Sequence, residues 1–314
     1  MRNPPDLAKA FCKHSAVVFV NFTAGGGRAH VCLPRIQEVF KSLRIQAQFV
    51  MTNSASELES FAHDQILQGQ HLLFAMGGDG TFQALVNASF GADVVLGVLP
   101  IGGGNDFASA LGLPSEPAEA AEAMLRGQPR CVDLVRVHTA DGRTRLYAGG
   151  GGIGLDAEAA RHAGGAYRHL PGRFRYIAAA LHALVQYVPM EVRVDFPASD
   201  IPPFEAKALL AAVLNSPTYG AGVRLAPGAA VDDGLLDLVF IEKFSKIGVL
   251  TLLPRLMGSG ELRTSRVKRW RAQRVKLTTN RPCLFHGDGE ILGPTPVEIE
   301  VVPKAVGVLA PVLR

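Results

Sequence analysis

Residues 75–88 read AMGGDGTFQALVNA. An apolar run ends in three glycines and one aspartate, and Phe82, Leu85 and Val86 then resume at helical spacing. Glycine weakens both strand and helix, so its concentration at a strand-to-helix junction asks what must approach that backbone. Chemistry allows a phosphate, a neighbouring chain segment, or nothing beyond a sharp turn.

The arrangement recurs on either side. AVVFVNF (16–22) is strand-like and passes through AGGGR (24–28) to Cys32, Leu33, Ile36, Val39, Phe40 and Leu43, again at helical spacing. IQAQFVMT (45–52) precedes a helix whose start, Ser54-Ala-Ser-Glu57, matches the S/T-x-x-E capping pattern. VVLGVLP (94–100) passes through IGGGND (101–106) into FASALGL. Repeated β–α units with nearly continuous apolar strands predict an α/β fold built on a parallel sheet.

In such a sheet ligands bind beyond the carboxyl ends of the strands, and AGGGR, GGDGT (77–81) and IGGGND all fall at that edge. Helix-start N–H groups carry partial positive charge, and residues without side chains let a phosphate reach them. The loops are therefore expected to form a phosphate-binding mouth. An acid beside bound phosphate is repelled unless it holds a cation such as Mg²⁺ or a substrate hydroxyl, which gives Asp79 and Asp106 a role. The alternative is that each caps a helix start.

The Walker pattern G-x-x-x-x-G-K-[S/T] is absent, which disfavours a P-loop enzyme. GGGGIG (149–154) matches G-x-G-x-x-G literally, but no Asp or Glu follows from Ala159 through Met190 to bind a ribose. It reads as a strand-and-bend feature, and dinucleotide-dependent dehydrogenase chemistry is disfavoured.

Beyond about residue 129 the pattern becomes β-rich. CVDLVRVHTADGRTRLYAG holds two strand-like runs around Asp141-Gly142, a hairpin signal, and MEVRVDF, AKALLAAVLN, GLLDLVFI, QRVKLTT and PVEIEVV follow. Helices near 172–188 and 245–257 interrupt them. A boundary near Gly127–Pro129 is expected, giving a nucleotide-binding domain over 1–128 and a β-rich domain over 129–303.

These residues resemble the diacylglycerol kinase catalytic-domain family of bacterial lipid kinases. GGDGT is similar to that family's nucleotide loop, PIGGGNDFASALGLP (100–114) to its P-x-G-T-G-N-D-F-A-R-x-L-G motif, and DGE (288–290) to its late acidic motif. CVDLVRV, GGIGLDA (151–157) and YGAGVRLAPGAAVDDGLLDL (219–238) resemble family segments in the same order. The resemblance implies an α/β nucleotide domain and a β-sandwich-like lipid domain with the active site in the cleft between them. It also implies that the C-terminal segment, 304–314, packs back onto the first domain. The activity implied is ATP-dependent transfer of the γ-phosphoryl group to a lipid hydroxyl, on diacylglycerol or a relative.

The same resemblance assigns roles. Gly77, Gly78, Gly80 and Thr81 would hold the nucleotide phosphates, Asp79 would act through Mg²⁺, and Asn21, Thr52, Gly103, Asn105 and Asp106 would complete the nucleotide site. Gly103 stands where the family usually has threonine, and NFTAGGG (21–27) where it has N-P-x-S-G, so main-chain N–H groups would carry more of the binding. Asp288 would be the general base, with Glu290 on the same side if the segment is extended. A polar β-turn is the structural alternative for GDGE. Asp233, with the carbonyls of Leu236 and Leu238, resembles a structural divalent-ion site; an Asp-Gly turn is the alternative.

RTSRVKRWRAQRVK (263–276) packs Arg and Lys around Trp270, either as a reversible membrane contact or as a solvated basic strand. The N-terminus MRNPPDLAKAFCKH lacks the apolar core of a signal peptide and no run spans a bilayer. A cytoplasmic protein is expected, with peripheral contact at the inner membrane surface. Net charge +4 suits an anionic ligand without demanding one. Nucleic acid is not expected as a partner, since no recognition motif accompanies the basic run. Cys12, Cys32, Cys131 and Cys283 lack C-x-x-C spacing. The histidines, His286 among them, read as surface or hydrogen-bonded structural residues. Two alternatives accompany the lipid kinase reading: a kinase of the NAD kinase type, and a non-catalytic lipid-binding or regulatory member of the fold.

Overall fold

A computed structural model describes residues 15–167, 172–220, 222–246, 248–249 and 264–312. Most of the helix expected near 245–257, the N-terminal fourteen residues and Arg263 lie outside the described residues. The chain divides into unit 1, Met1–Leu134 with Pro303–Arg314, and unit 2, Val135–Val302.

Unit 1 is a parallel sheet. Strands β1 (Ser15–Asn21), β2 (Gln46–Thr52), β3 (Leu72–Gly77) and β4 (Val95–Pro100) lie in the order β2-β1-β3-β4. The end of β15 (Val297–Ala310) pairs in parallel with β4 through Gly307 and Val308. Every residue of β3 and β4 is buried, as expected of central strands covered on both faces. The apolar runs LLFAM and VLGVLP supply that burial.

The helices of this unit are α1 (Arg28–Ser42), α2 (Ala55–Leu67), α3 (Asp79–Ser89), α4 (Asp106–Ala110) and α5 (Pro117–Leu125). α2 starts where the capping pattern places it: Ser54 Oγ accepts the Glu57 N–H at 3.1 Å. The Glu57 carboxylate returns to the Asn53 N–H at 2.7 Å, satisfying a second helix-start donor. α1 turns its buried Ile36 and Phe40 inward, and Phe40 meets Phe74 of β3 edge-on at 5.1 Å.

Unit 2 is antiparallel. β5 (Gln128–Thr139) and β6 (Thr144–Tyr147) form the hairpin expected at Asp141-Gly142, with Gly142 at φ +82°. β7 (Gly150–Gly154) and β8 (Met190–Asp195) share one edge of the long strand β9 (Phe204–Leu214), and β10 (Leu236–Glu242) takes the other. β11 (Val267–Ala272) extends β10, β12 (Arg274–Thr279) joins β8 to β15, and β13 (Leu284–Gly287) joins β7 to β14 (Glu290–Pro294). Tyr147, Val192, Phe240, Leu277 and Phe285 form one core of this unit. Leu155 of α6 (Leu155–Gly164) and Leu184 of α7 (Gly172–Gln186) join Leu209 and Leu214 in a second.

GGGGIG is thus a strand, as its failed dinucleotide context implied, and its glycines are required by crowding. A Cβ on Gly150 would lie 2.8 Å from the Tyr219 ring, and one on Gly152 would lie 2.4 Å from the Asp156 carboxylate.

Candidate nucleotide loops and the Asp288 turn

In unit 1 the three glycine loops pack against one another. A Cβ at Gly25 would fall 2.2 Å from the Ile101 carbonyl oxygen, and one at Gly102 would fall 2.5 Å from Gly78 Cα. The Ile101 N–H donates to the Gly77 carbonyl at 2.8 Å. Glycine is needed here because main chain meets main chain, the second of the three answers opened by the sequence. This contact also gathers the loops at the carboxyl ends of β1, β3 and β4.

Around that contact Asn21 Nδ2 donates to Thr81 Oγ1 at 3.1 Å, while Asn21 Oδ1 accepts from the Thr23 N–H and hydroxyl at 3.0 and 2.7 Å. Gly78 caps α3, and the Thr81 and Phe82 amides return to its carbonyl. Asp79 Oδ1 accepts the Phe107 N–H at 3.2 Å, so it holds the first turn of α4, where Asp106 is buried. The capping alternative for Asp79 is therefore realised in the structure. Asn105 adopts a left-handed backbone (φ +56°), donates to the Gly102 carbonyl at 2.9 Å, and leaves its buried Oδ1 without a partner. Thr52 differs from the others: it is 2% exposed, with its hydroxyl directed at the Val20 carbonyl. It stands inside the sheet edge as a packing residue.

In unit 2 Asp288 and Gly289 form the two-residue turn between β13 and β14, both with positive φ. This is the backbone such hairpin turns require, and it corrects the expectation that Glu290 follows Asp288 along an extended segment. The turn does more than reverse the chain. Asp288 Oδ2 accepts the Ala148 N–H at 2.8 Å, and Oδ1 accepts those of Gly149 and Gly150 at 3.0 and 3.1 Å. Three consecutive amides thus fix the carboxylate. Its negative charge and, above all, burial push the Tyr147 phenol well above its ordinary range.

The Asp233 region is an ion-pair cluster. Asp233 accepts the Leu235 N–H at 3.0 Å and pairs with Arg271, whose Nε lies 3.5 Å from Asp237. Leu236 and Leu238 are buried on β10, and Leu238 is paired on both sides. Burial raises the Asp237 carboxyl, and the Arg271 charge opposes that rise. A divalent ion would have to displace Arg271, so the residues as arranged do not fit one. Among the described residues no group of three His, Cys, Asp or Glu side chains converges as a metal site.

The basic run folds as β11 and β12, and period-two alternation turns Trp270 toward Phe196 and Phe204, with ring centroids 5.5 and 5.2 Å apart. Arg271, Arg274 and Lys276 pair with Asp233, Glu300 and Glu298. The tryptophan is a packing residue, and the solvated-strand alternative describes these positions better than an interfacial anchor.

Sequence reasoning missed a buried cluster in unit 2. Tyr219 Oη lies 2.6 Å from Asp156 Oδ2 and 2.5 Å from His286 Nε2. His286 is 4% exposed, so of the two readings given for it the hydrogen-bonded structural one holds. Asp133, fully buried and accepting the Lys304 N–H at 2.7 Å, was also passed over. Burial of a lone polar residue between apolar neighbours, as in CVDLV, was the available signal.

A parallel α/β unit whose glycine loops converge at one edge, joined to an antiparallel β-rich unit, defines a two-domain kinase-like class. The chain belongs to the diacylglycerol kinase family: residues 15–137 match the diacylglycerol kinase catalytic domain, and residues 151–310 match the YegS C-terminal NAD kinase beta sandwich-like domain. It is 30% identical over 247 residues to a protein of Mycobacterium tuberculosis named diacylglycerol kinase, covering 78% of this chain and 79% of that one. A Bacillus subtilis diacylglycerol kinase is 25% identical, with 94% and 96% covered. A crystal structure of a diacylglycerol kinase from Bacillus anthracis shares the fold at a TM-score of 0.72 and 19% identity, over 95% of this chain and 97% of that one. Among the described residues no helix is long and apolar enough to cross a membrane.

Proposed function

We propose that the protein is an ATP-dependent lipid kinase that moves the γ-phosphoryl group of ATP to a lipid hydroxyl, with diacylglycerol or a close relative as acceptor. The observation that carries this reading is the mutual packing of the three glycine loops around Asp79 and the start of α3. Main-chain N–H groups of Gly77, Gly78 and Gly80 and the hydroxyl of Thr81 bind the phosphates, and Gly103 contributes its own N–H where the family uses a threonine hydroxyl. Asn21 fixes Thr81 for that task.

Asp79, Asp106 and the unpartnered Asn105 Oδ1 would supply the hard oxygen donors that Mg²⁺ takes. When bound with ATP, the ion neutralises charge on the transferring group. Asp288 accepts the proton of the lipid hydroxyl as its oxygen bonds to the γ-phosphorus and the bond to ADP breaks. A carboxylate oxygen accepts two hydrogen bonds, so a hydroxyl can share Oδ2 with the Ala148 amide. Glu290, one residue past the turn, orients the acceptor. The lipid is met in reversible contact with the inner membrane surface, from a cytoplasmic pool of the protein.

Radiolabelled ATP offered with diacylglycerol, phosphatidylglycerol, sphingosine, ceramide and NAD tests the reading. Label on a lipid hydroxyl is expected. Label on NAD alone would establish the small-molecule alternative, and absence of label on every acceptor would overturn kinase activity.

A further inference from the structure

We infer that Tyr219 and His286 are positioning residues for the Asp288 carboxylate, acting through a buried hydrogen-bonded chain that runs Asp156–Tyr219–His286. The inference rests on the role given to Asp288 above.

The geometry places this chain directly behind the Asp288 seat. His286 stands on β13, two residues ahead of the turn, opposite Gly152 in the ladder. Tyr219 packs on Gly150, where any Cβ would lie 2.8 Å from its ring, and Gly150 supplies one of the three amides holding Asp288. Asp156, on α6, closes the chain. Asp288 lies in the turn that follows β13 and its amide cradle leads into β7, and Tyr219 meets His286 of the first strand and Gly150 of the second.

Proton accounting favours one arrangement. The tyrosine hydroxyl has a single proton, which it donates to the Asp156 carboxylate. His286 Nε2–H then donates to the Tyr219 oxygen, and the Asp156 charge lies 3.6 Å from that nitrogen. This leaves His286 Nδ1 buried without a partner. A leucine or phenylalanine would leave no orphaned atom, so what the imidazole adds at this position is its Nε2 bond. Gly152 makes the same concession, since only glycine leaves room for the Asp156 carboxylate.

Three variants of the full chain test this: Tyr219→Phe, His286→Leu and His286→Gln, the last able to place an amide group where Nε2 stands. Hydrogen exchange at the Ala148, Gly149 and Gly150 amides reads the seating of Asp288 without any assay of turnover. Exchange there should accelerate about tenfold in Tyr219→Phe and His286→Leu and stay within about threefold of wild type in His286→Gln. With dioleoylglycerol in phosphatidylglycerol vesicles, kcat should fall about tenfold or more in the first two at unchanged KM for ATP, with recovery in His286→Gln. Wild-type exchange and turnover in Tyr219→Phe, or equal damage from His286→Gln and His286→Leu, would overturn the positioning role. If the wild type phosphorylates no lipid, the proposed function fails while the exchange result still decides whether this chain holds Asp288.

Discussion

The Asp288 carboxylate accepts the Gly150 N–H at 3.1 Å, and the Gly150 carbonyl accepts the Asp288 N–H at 2.8 Å. This reciprocal pair makes the proposed base a structural anchor as well. Asp288→Ala should lower the urea unfolding free energy by about 3 kcal/mol, because amides are stranded. Asp288→Asn keeps an oxygen acceptor and should cost about 1 kcal/mol. In both, turnover should fall about 10²–10⁴-fold; equal turnover of Asp288→Asn and wild type would remove Asp288 as the base.

Asp79 joins the proposed cation binding to a structural duty, the acceptance of the Phe107 amide. Asp79→Asn preserves the acceptor oxygen for that amide, so the fold should hold while Mg²⁺-dependent ATP binding weakens. Calorimetric titration with ATP, with and without Mg²⁺, reads the difference. Wild-type affinity and turnover in Asp79→Asn would exclude the metal role.

Gly25 and Gly26 form an internal control. Both have positive φ, but only at Gly25 does an added Cβ meet main chain, at 2.2 Å from the Ile101 oxygen. Gly26→Ala should cost only the left-handed backbone penalty, about 1–2 kcal/mol. Gly25→Ala should cost more and should also weaken ATP binding, since Ile101 and its loop must move. Matching denaturation and binding data for the two variants would show that the loop contact is unimportant.

Asp141 gives a pH signature. Hydrogen bonds from Arg143 and Thr139 hold its carboxyl down to about 2. A depressed folded-state value means stabilisation is present above the unfolded carboxylate value, near 4, and is lost as pH falls from about 4 to about 2. The carboxyl carbon of Asp141 followed by NMR should titrate in the folded protein near the lower limit. Arg143→Ala should raise the midpoint part of the way towards the ordinary value, because the Thr139 hydroxyl still donates to the carboxylate.

Cys283 should be slow to alkylate. Burial pushes its thiol up to about 11, so little thiolate exists at pH 8, and the thiolate is the reactive form. Mass spectrometry after iodoacetamide treatment should show Cys283 modified far more slowly in folded than in denatured protein.

The parallel sheet and its loop edge were legible because β3 and β4 are buried on both faces, which leaves runs of apolar residues no other element explains. The Ser54 cap was equally readable, since its signal is local. The Asp156–Tyr219–His286 chain was not, because its members are 63 and 67 residues from Tyr219 and only the unit 2 sheet brings them together. The surroundings of Trp270 were hidden for a related reason: counted by composition it sits in a basic run, but strand alternation separates its ring from the flanking Arg269 and Arg271. The burial of Thr52 was hidden in the opposite way, its position at a strand end giving no sign that it is enclosed.

The C-terminal strand has a consequence for biosynthesis. Gly307 and Val308 extend the unit 1 sheet beside β4, so during translation the earlier strands of that sheet wait for a strand made only after the whole of unit 2. A nascent chain halted before residue 303 would leave Val95 and Leu96 of β4 without this partner strand, an opening for chaperones or for self-association.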